Sequence, residues 1–394
     1  MKQYAFDAGC WDESLKLRGE PVCQMCLCML EYTGHAYHFR KQEISAGTAK
    51  GNIVMLERYS RQTLFGPIGK EGQERLHAST IAIIGCGALG TVLATNLCRS
   101  GIGHLTIADR DYIELNNLQR QILFDEEDVA RHLPKAIAAV EKLHKVNSEI
   151  TIEARVEDIQ AESIEELVRQ SDLVIDATDN FETRYLLNDA CIKHQRPWIY
   201  SGVIASYGVT MNILPGETPC LRCVFPEMPL PGTTPTCDTA GVLNGIVGAI
   251  SGIASTEALK ILLQSEKISR DLVWMDLWEN TAERIALPRQ PDCPACGEHH
   301  YEFLDAEVGS VTTTLCGRNA VQVRSTFGKS GGRLDFAALA ERLASVGEVQ
   351  YNDFLLRCVI DGYELTIFPD ARSIIKGTDD EQVARSLYAR FIGM

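Results

Sequence analysis

A chain of 394 residues is long enough for one large domain and one or two small ones. Its net charge of −15 argues against a nucleic-acid-binding protein, which needs a basic surface, and its apolar content of 45% allows a sizeable core. The N-terminus shows no apolar signal segment, so the 14 cysteines are better explained as metal ligands, thiols or core residues than as disulfides. We therefore expect a soluble cytoplasmic protein.

The chain divides into four regions by its pattern of apolar residues. Residues 1–55 form an irregular leader without clear periodicity. Residues 56–300 alternate short apolar runs with amphipathic segments of helical length, which predicts an α/β domain with a Rossmann-like, doubly wound and mostly parallel sheet. Residues 301–315 are expected to be a linker, and residues 316–394 a small α+β domain.

The leader contains a cysteine-rich segment, CQMCLC at residues 23–28, which would be half of a metal site, but no matching cysteine pair is evident. The codons for Lys50 and Gly51 would resemble a ribosome-binding site shortly before Met55. We therefore expect residues 1–54 to be upstream sequence that was read through, or else a poorly ordered extension.

A glycine loop joins the first strand predicted in the large region, STIAIIGCG, to the helix of LGTVLATNLCRSGI. Gly85, Gly87 and Gly90 match G-x-G-x-x-G, in which missing β-carbons let phosphates approach backbone amides at a helix N-terminus. Asp109 follows about 20 residues later at the tip of the next strand, where a ribose-binding carboxylate belongs. The pattern predicts nucleotide binding but does not choose between NAD, FAD and ATP; the alternative is a tight turn with a surface Asp.

Two cations follow the glycine loop and favour ATP. Arg120 lies in NLQRQ just past Asp109, and Lys135 begins the amphipathic helix after LPKA. Alone, either residue would more often be an exposed surface cation. Together, beside one phosphate loop, they can neutralise a triphosphate, whereas a dehydrogenase only holds its pyrophosphate and never cleaves it.

A carboxylate ends the later buried strand of SDLVIDATDN. Asp179 lies at the carboxyl end of this strand, where open α/β sheets bind ligands, and it suits a Mg²⁺ ion between phosphate oxygens. The alternative is an N-cap for the helix that follows. Asp176 would point to the opposite face of the sheet and is the weaker candidate.

Two C-x-x-C pairs, Cys220 with Cys223 and Cys293 with Cys296, have the spacing of a tetrahedral zinc site. Four thiolates leave no open coordination position, so this zinc would be structural; the alternative is two unrelated pairs of core thiols.

Between these pairs, Cys237 follows the Pro-rich PEMPLPGTTPT, which indicates a mobile surface loop. Residues 242–263 are apolar but contain Asn244, Glu257 and Lys260, which predicts a buried helix rather than a membrane span.

The C-terminal region has its own pattern. LDFAALAERLASVG and DDEQVARSLYARFIG have helical spacing, and LLRCVIDGYELTIFPDARSIIKG predicts a three-stranded meander with turns at 361–362 and 369–370. We find no catalytic constellation there.

In this order, the motifs RYSRQ, GCGALG, ADRD, NNLQRQ, LPKA, ATDN, CLRC, TCDTAGV and CPAC resemble those of the ThiF/MoeB/HesA family, relatives of the ubiquitin-activating enzymes. The resemblance covers about residues 56–300, and the C-terminal region resembles the small extension of some bacterial members. It implies adenylation, with MgATP and release of pyrophosphate, of the C-terminal glycine of a small ubiquitin-like sulfur carrier.

The resemblance also implies roles for residues. Asp109 would hold the ribose, Asn117, Arg120 and Lys135 would contact the phosphates, and Asp179 would organise Mg²⁺. The full set of nucleotide-binding residues is expected to be Gly85, Gly87, Ala88, Gly90, Asp109, Asn116, Asn117, Leu118, Gln119, Arg120, Lys135 and Asp179.

Three further residues are interpreted through the resemblance. Arg61, in RYSRQ, would reach the ATP of a partner subunit, which implies a homodimer with two composite sites. The family often has Gly at the position of Ala88, whose methyl group would crowd the nucleotide. Cys237 resembles a cysteine that can join covalently to the carrier during sulfur transfer, and the alternative is an idle loop thiol.

Through TCDTAGV and the C-terminal region, the resemblance favours a ThiS-like carrier of thiamine biosynthesis, with a MoaD-like carrier of molybdopterin biosynthesis as the alternative. A separate sulfur donor, a cysteine desulfurase or a rhodanese-type protein, is expected. Three other classes remain: an NAD-dependent oxidoreductase, which leaves Arg120, Lys135 and the zinc cysteines unexplained; an adenylating enzyme that acts on a short peptide; and a non-catalytic zinc-stabilised binding module.

Overall fold

The computed structural model describes residues 11–17, 20–23, 57–229, 237–305, 312–315, 319–323, 334–344 and 346–392. The chain has two compact units, Met1–Met55 and Leu56–Met394. In the first unit, β1 (Trp11–Leu17) and β2 (Glu20–Cys23) pair in antiparallel fashion, a hairpin that the sequence did not predict. The rest of CQMCLC and the proposed start at Met55 lie outside the described residues.

An eight-stranded sheet organises the second unit, in the order β10-β9-β8-β7-β6-β3-β4-β5. The five strands from β7 to β5 are parallel, and β8, β9 and β10 add antiparallel strands at one end. This confirms the mostly parallel, Rossmann-like sheet. The strands are β3 (Thr80–Ile84), β4 (His104–Ala108), β5 (Thr151–Arg155), β6 (Leu173–Asp176), β7 (Trp198–Ile204), β8 (Tyr207–Ile213), β9 (Leu272–Asp276) and β10 (Thr281–Ile285).

Helices cover both faces of this sheet, as a doubly wound fold requires. Against one face pack α3, α5 and α10, and against the other pack α6 and α7. In chain order the helices are α1 (Ser60–Thr63), α2 (Gly69–His77), α3 (Ala88–Ser100), a 3₁₀ turn at Leu115–Asn117, α4 (Glu126–Ala130), α5 (Lys135–Val146), α6 (Ala161–Gln170), α7 (Phe181–Lys193), α8 (Leu221–Val224), α9 (Cys237–Ala240) and α10 (Asn244–Leu262).

Among the described helices, α10 alone is long and apolar enough to cross a membrane. Half of its apolar window is buried within the protein. Ile246, Val247 and Ile250 are fully buried in the core shared with α3. The helix thus packs as the core helix that the sequence predicted.

Residues 301–305 do not begin a linker, in contrast to the sequence interpretation. Phe303 and Leu304 are buried in the hydrophobic core on the face of the large sheet that α6 and α7 cover, together with the four cysteines of the C-x-x-C pairs. The backbone N–H of Phe303 donates to Oδ2 of Asp189, in α7, at 3.0 Å. The sequence signal failed here because five residues carry too little periodicity to reveal burial.

The C-terminal domain is a six-stranded antiparallel sheet, ordered β11-β12-β16-β15-β14-β13, with two helices. The α+β class and the three-stranded meander are confirmed. Its elements are β11 (Thr312–Leu315), β12 (Ala320–Val323), α11 (Phe336–Leu343), β13 (Glu348–Tyr351), β14 (Leu356–Ile360), β15 (Tyr363–Ile367), β16 (Ser373–Lys376) and α12 (Glu381–Phe391).

The strand order creates a crevice at one edge of the large sheet. From β3 the chain passes to β4 and β5 on one side, and then returns to β6 on the other side of β3. Helical connections on opposite sides diverge at such a switch point, which leaves a ligand site beyond the carboxyl ends of the strands.

Candidate active site

The segments that follow β3, β4, β5 and β6 line a cavity of about 430 Å³ at this switch point. Several predicted site residues lie in its wall, together with residues that the sequence analysis did not select. The predicted residues in the wall are Gly85, Gly87, Ala88, Asp109, Arg120, Lys135, Asp179 and Cys237.

The three glycines of the loop have different reasons to be glycine. Gly85 has φ +95°, and a β-carbon there would lie 2.6 Å from the carbonyl oxygen of Ala177. A β-carbon on Gly90 would lie 2.1 Å from the carbonyl oxygen of Gly85. At Gly87 the nearest described atom, on Gln121, would be 3.9 Å away, so that its open space faces the cavity. Two glycines therefore close the turn, and one leaves room for a ligand.

Asp109, the expected ribose ligand, also holds the glycine loop. Its Oδ2 accepts a hydrogen bond from the backbone N–H of Cys86 at 2.6 Å, and its Oδ1 accepts one from the backbone N–H of Asp111 at 2.7 Å. Burial raises the pKa of Asp109, and the ammonium group of Lys135 opposes this rise. The carboxylate is thus tied to the loop while it remains in the cavity wall.

Lys135 is buried, and it begins α5 with its side chain in the cavity wall. Its Nζ lies 3.1 Å from Oδ2 of Asp111. Arg120 also lines the cavity, and its Nη1 donates to the carbonyl oxygen of Asn116 at 2.8 Å. Two cations that are close to one glycine loop can neutralise several phosphate charges.

The residues just before Arg120 mainly stabilise the 3₁₀ turn through hydrogen bonds with one another. Asn117 is buried, and its Oδ1 accepts a hydrogen bond from the backbone N–H of Glu114 at 3.1 Å, which caps the 3₁₀ turn. Its Nδ2 donates to Oδ1 of Asn116 at 2.8 Å. The predicted nucleotide-binding residues that the structure does not place in the cavity wall are Gly90, Asn116, Asn117, Leu118 and Gln119.

Gln121 is a cavity residue that the sequence analysis passed over. It is buried, and its Oε1 has no hydrogen-bond partner among the described residues. A buried amide oxygen without a partner is costly, so it indicates a group that a ligand satisfies. The NLQRQ motif contained this residue, but the analysis assigned contacts only up to Arg120.

A buried ion pair stabilises the loop that follows β6. Nε of Arg184, in α7, lies 3.0 Å from Oδ2 of Asp176, which is completely buried. Nη2 of Arg184 donates to the carbonyl oxygen of Thr178 at 2.6 Å. Asp176 is not among the residues that line the cavity, whereas its partner Arg184 does line it and positions the loop that carries Asp179.

Asp179 is exposed and lies in the wall of the cavity. Burial lowers the pKa of the Arg110 guanidinium group, but the nearby carboxylates, first Asp158 and then Asp111 and Asp179, outweigh it and raise this pKa above its ordinary value. Asn180, the neighbour of Asp179, accepts a hydrogen bond from the backbone N–H of Thr183 at 2.8 Å and is the N-cap of α7. Asp179 is thus not the residue that caps the helix, which was the alternative to its ligand role.

Arg110 and Asp158 were not predicted as site residues, yet both line the cavity. Nη1 of Arg110 donates to Oδ1 of Asp158 at 2.9 Å. Asp158 lies three residues beyond β5, and no local motif marks it. The signal that could have found the pair is the sheet order, which places the ends of β4 and β5 side by side.

Cys237 begins α9 at the edge of the cavity and is partly exposed. Its Sγ lies 3.8 Å from the carbonyl oxygen of Val203, in β7. Most of the Pro-rich stretch before it lies outside the described residues. Arg61 is exposed in α1 and does not line the cavity of its own chain.

The four cysteines of the two C-x-x-C pairs meet in one cluster. All four Sγ atoms lie within 4.8 Å of one another, and all four residues are buried. The Sγ of Cys220 lies 3.9 Å from that of Cys223 and 3.5 Å from that of Cys293, and the Sγ atoms of Cys223 and Cys296 are 3.4 Å apart. Sulfur atoms bound to one tetrahedral zinc at about 2.3 Å have similar separations, so the cluster fits a structural zinc ion.

A glycine loop, a carboxylate and two cations around one cavity at a switch point define a nucleotide-binding α/β protein. The chain belongs to the ThiF family, whose model matches residues 59–295. It is 43% identical to the sulfur carrier protein ThiS adenylyltransferase of Bacillus subtilis, over 86% of this chain and all of that protein. It is also 36% identical to the adenylyltransferase and sulfurtransferase MOCS3 of Anopheles gambiae, over 66% of this chain and 58% of that protein.

The fold is also found in a solved structure, that of E. coli MccB with ATP. The TM-score is 0.53 at 23% identity, and the match covers 61% of this chain and 74% of that chain. At this identity the likeness concerns the fold alone. It agrees with the sheet and the crevice described above.

Proposed function

We propose that this chain adenylates the C-terminal carboxylate of a ThiS-like sulfur carrier with ATP and releases pyrophosphate, as a step toward a thiocarboxylate. The observation that carries the proposal is the meeting of Gly87, Asp109, Arg120 and Lys135 in one cavity. The kinship with a ThiS adenylyltransferase over that protein's whole length supports it.

The charges of the cavity suit this reaction. The attack of a carboxylate on the α-phosphorus brings two anions together, so the transition state needs cations that are fixed in advance. The ammonium group of Lys135 and the guanidinium group of Arg120 supply such charge in the cavity wall. No general base is needed, because a carboxylate is deprotonated at neutral pH.

Asp179 would hold the Mg²⁺ ion that accompanies ATP. Its exposed carboxylate at the cavity offers the oxygen ligand that Mg²⁺ prefers. Magnesium supplies further positive charge to the phosphates when it is bound. The four clustered cysteines would bind a zinc ion that only stabilises the fold.

A homodimer would complete the site through Arg61 of the partner subunit. Support comes from the position of Arg61 on the surface and from Leu64 and Phe65 close by, whose side chains are 68% and 60% exposed. Neighbouring exposed apolar side chains are typical of interaction surfaces. Residues 56–300 would form the adenylating domain, in a cytoplasmic protein that receives sulfur from a separate cysteine desulfurase or rhodanese-type donor.

The test is ATP–pyrophosphate exchange with purified carriers. We expect exchange with a ThiS-like carrier and none when the carrier lacks its last glycine. Exchange that ignores the carrier tail would contradict the substrate assignment. The likeness to MOCS3 keeps a MoaD-like carrier as the second candidate, which the same assay compares directly.

The other classes explain less of the site. An NAD-dependent oxidoreductase has no use for Lys135 and Arg120 beside its pyrophosphate, and a binding module has no use for either. Binding of an added nicotinamide dinucleotide to the purified protein in preference to ATP would contradict this reasoning.

A further inference from the structure

The C-terminal domain contacts the wall of the nucleotide cavity directly. In β12, Nε2 of Gln322 donates to Oδ2 of Asp158 at 3.0 Å. In the turn before β16, Nη2 of Arg372 donates to the carbonyl oxygen of Arg110 at 2.9 Å. Nη1 of Arg372 lies 3.5 Å from Oε1 of Gln322, so the two contacts are joined.

These contacts are buried. Gln322 has no exposed surface, Arg372 is 3% exposed and Asp158 is 8% exposed. The guanidinium group of Arg372 also stacks on Phe368, with its Cζ 3.6 Å from the ring centroid. Because a buried charged group without its partner is strongly destabilising, this arrangement has few alternative geometries.

Gln322 and Arg110 act on opposite sides of one carboxylate. Oδ1 of Asp158 faces Arg110, and Oδ2 faces Gln322. Because the Gln322 amide is uncharged, the negative charge of Asp158 pairs with the guanidinium group of Arg110. This ion pair fixes the direction of the Arg110 side chain in the cavity. Arg372 fixes the backbone of Arg110 at the same time.

The sheet order indicates which part of the nucleotide these residues meet. The glycine loop follows β3 and takes phosphates, and Asp109 follows β4 and is placed for the ribose. Asp158 follows β5, which is the next strand in the same direction. The Arg110–Asp158 pair therefore lies on the adenosine side of the cavity.

We propose that Gln322 and Arg372 are positioning residues that hold the Arg110–Asp158 pair for the adenosine half of the nucleotide. The C-terminal domain is then part of the nucleotide site, although none of its described residues lines the cavity. This inference rests on the proposed ATP-dependent function, and it goes beyond that function in assigning a role to the C-terminal domain.

The test uses the full-length protein and measures its Kd for ATP and for AMP by calorimetry, without carrier. Gln322→Glu has the shape of the native side chain but places a carboxylate against Asp158, and we expect about tenfold weaker binding of both nucleotides. Inhibition of the exchange reaction by pyrophosphate and the KM for the carrier should change less than about twofold, because neither ligand reaches the adenosine side.

Reversal of the hydrogen bond should restore affinity. In the double variant Asp158→Asn with Gln322→Glu, the introduced asparagine donates its amide to the glutamate and still accepts from Arg110. We expect ATP binding to return to within about threefold of the wild type. Arg372→Lys is a milder second variant, because a single ammonium can reach the Arg110 carbonyl but cannot also fix Gln322 as a guanidinium does; about threefold weaker binding is expected.

Asn352→Ala is the matched control. Nδ2 of Asn352 donates to the carbonyl oxygens of Arg131 and His132, so it belongs to the same domain contact, but these partners do not line the cavity. It should bind ATP within about twofold of the wild type. Two results would overturn this inference but not the proposed function. One is a folded Gln322→Glu variant with wild-type affinity for ATP. The other is a parallel loss of ATP affinity, carrier affinity and melting temperature that the double variant does not restore. A wild-type protein that binds no ATP would overturn the proposed function as well.

Discussion

Lys135 and Asp111 are joined twice in the cavity wall. Nζ of Lys135 lies 3.1 Å from Oδ2 of Asp111, and the backbone N–H of Lys135 donates to the Asp111 carbonyl oxygen at 2.9 Å. The side-chain contact pairs a buried ammonium group with a carboxylate, and the backbone contact fixes the first turn of α5. Asp111 follows Asp109 by two residues, so it links Lys135, the cation proposed to meet the phosphates, to the segment that carries Asp109, the carboxylate proposed to hold the ribose.

Replacement of this cation should abolish exchange without unfolding the protein. Lys135→Met retains the apolar stem and removes the charge, so we expect ATP–pyrophosphate exchange to fall by about 100-fold or more. Lys145→Met, on the exposed side of the same helix, is the control and should retain activity. Exchange by Lys135→Met within a few fold of the wild type would contradict the assigned role.

A methyl group added at two different positions of the glycine loop should have two different effects, one on ATP binding and one on the stability of the fold. Gly87→Ala has a permissive φ of −83° and no described neighbour closer than 3.9 Å, so the melting temperature should stay near that of the wild type while ATP binds at least about tenfold more weakly. Gly90→Ala forces a β-carbon to 2.1 Å from the Gly85 carbonyl oxygen and should destabilise the fold. Thermal melts and calorimetry separate the two effects. A Gly87→Ala protein with unchanged affinity would place the phosphates elsewhere.

The cysteine cluster predicts one zinc ion per chain and a loss of stability without it. Cys296→Ser should reduce the zinc content, measured by atomic absorption, and lower the melting temperature, because thiolate–zinc bonds exist only in the folded chain. Cys358→Ala, in the buried core of the C-terminal domain, should keep its zinc even if it melts earlier. An equal zinc content in both variants would argue against the site.

The proposed role of Cys237 is a covalent link to the carrier, separate from adenylation. Cys237→Ser should leave ATP–pyrophosphate exchange within about twofold of the wild type and reduce the yield of carrier thiocarboxylate, because the serine hydroxyl is a poor nucleophile beside a thiolate. Mass spectrometry of the carrier measures the product. If exchange is lost as well, the thiol serves the nucleotide site instead.

Asp189 gives the stability a dependence on pH. Burial raises the pKa of this carboxyl group to about 7 in the folded protein, well above its ordinary value of 3.8. The contribution of Asp189 to the free energy of unfolding is therefore fully present below about pH 4 and is lost as the pH rises through about 7, because the carboxyl group ionises more easily in the unfolded chain. Asp189→Asn imitates the neutral acid and should stabilise the protein by roughly 1–4 kcal/mol at pH 8.5, with a smaller gain at pH 6.

Thermal melts at the two pH values check this prediction. Asp379→Asn, on the surface, is the control and should shift the melting temperature little at either pH. A destabilised Asp189→Asn protein at pH 8.5 would indicate that the carboxylate is ionised and well paired.

The sequence predicted the parts of the site that depend on local pattern. The glycine spacing, the acid after β4 and the paired C-x-x-C motifs each specify a local geometry, so Gly85, Asp109 and the cysteine cluster could be located from the sequence. The parallel sheet followed from apolar strands that alternate with helices. The burial of residues 301–305 was not predicted, because their apolar side chains follow no repeating pattern.

The long-range contacts were not predicted from the sequence, for a different reason. Gln322 and Arg372 belong to a region in which the sequence showed no catalytic group, and their hydrogen-bond partners, the Asp158 carboxylate and the Arg110 backbone carbonyl, lie more than 150 residues away in the sequence. Gln121 was visible in a motif, but only the three-dimensional structure reveals that its amide oxygen lacks a partner. Patterns along a chain report which residue types occur, whereas mutual orientation depends on tertiary packing.

The Arg372–Arg110 hydrogen bond joins residues 262 positions apart. During synthesis, Arg372 is therefore added 262 residues after Arg110. Loops of this size close slowly, because chain entropy is lost before any contact forms. A nascent chain that has not yet reached Arg372 lacks this contact, and the segment that carries Arg110 then depends on the apolar core and on its nearer neighbours.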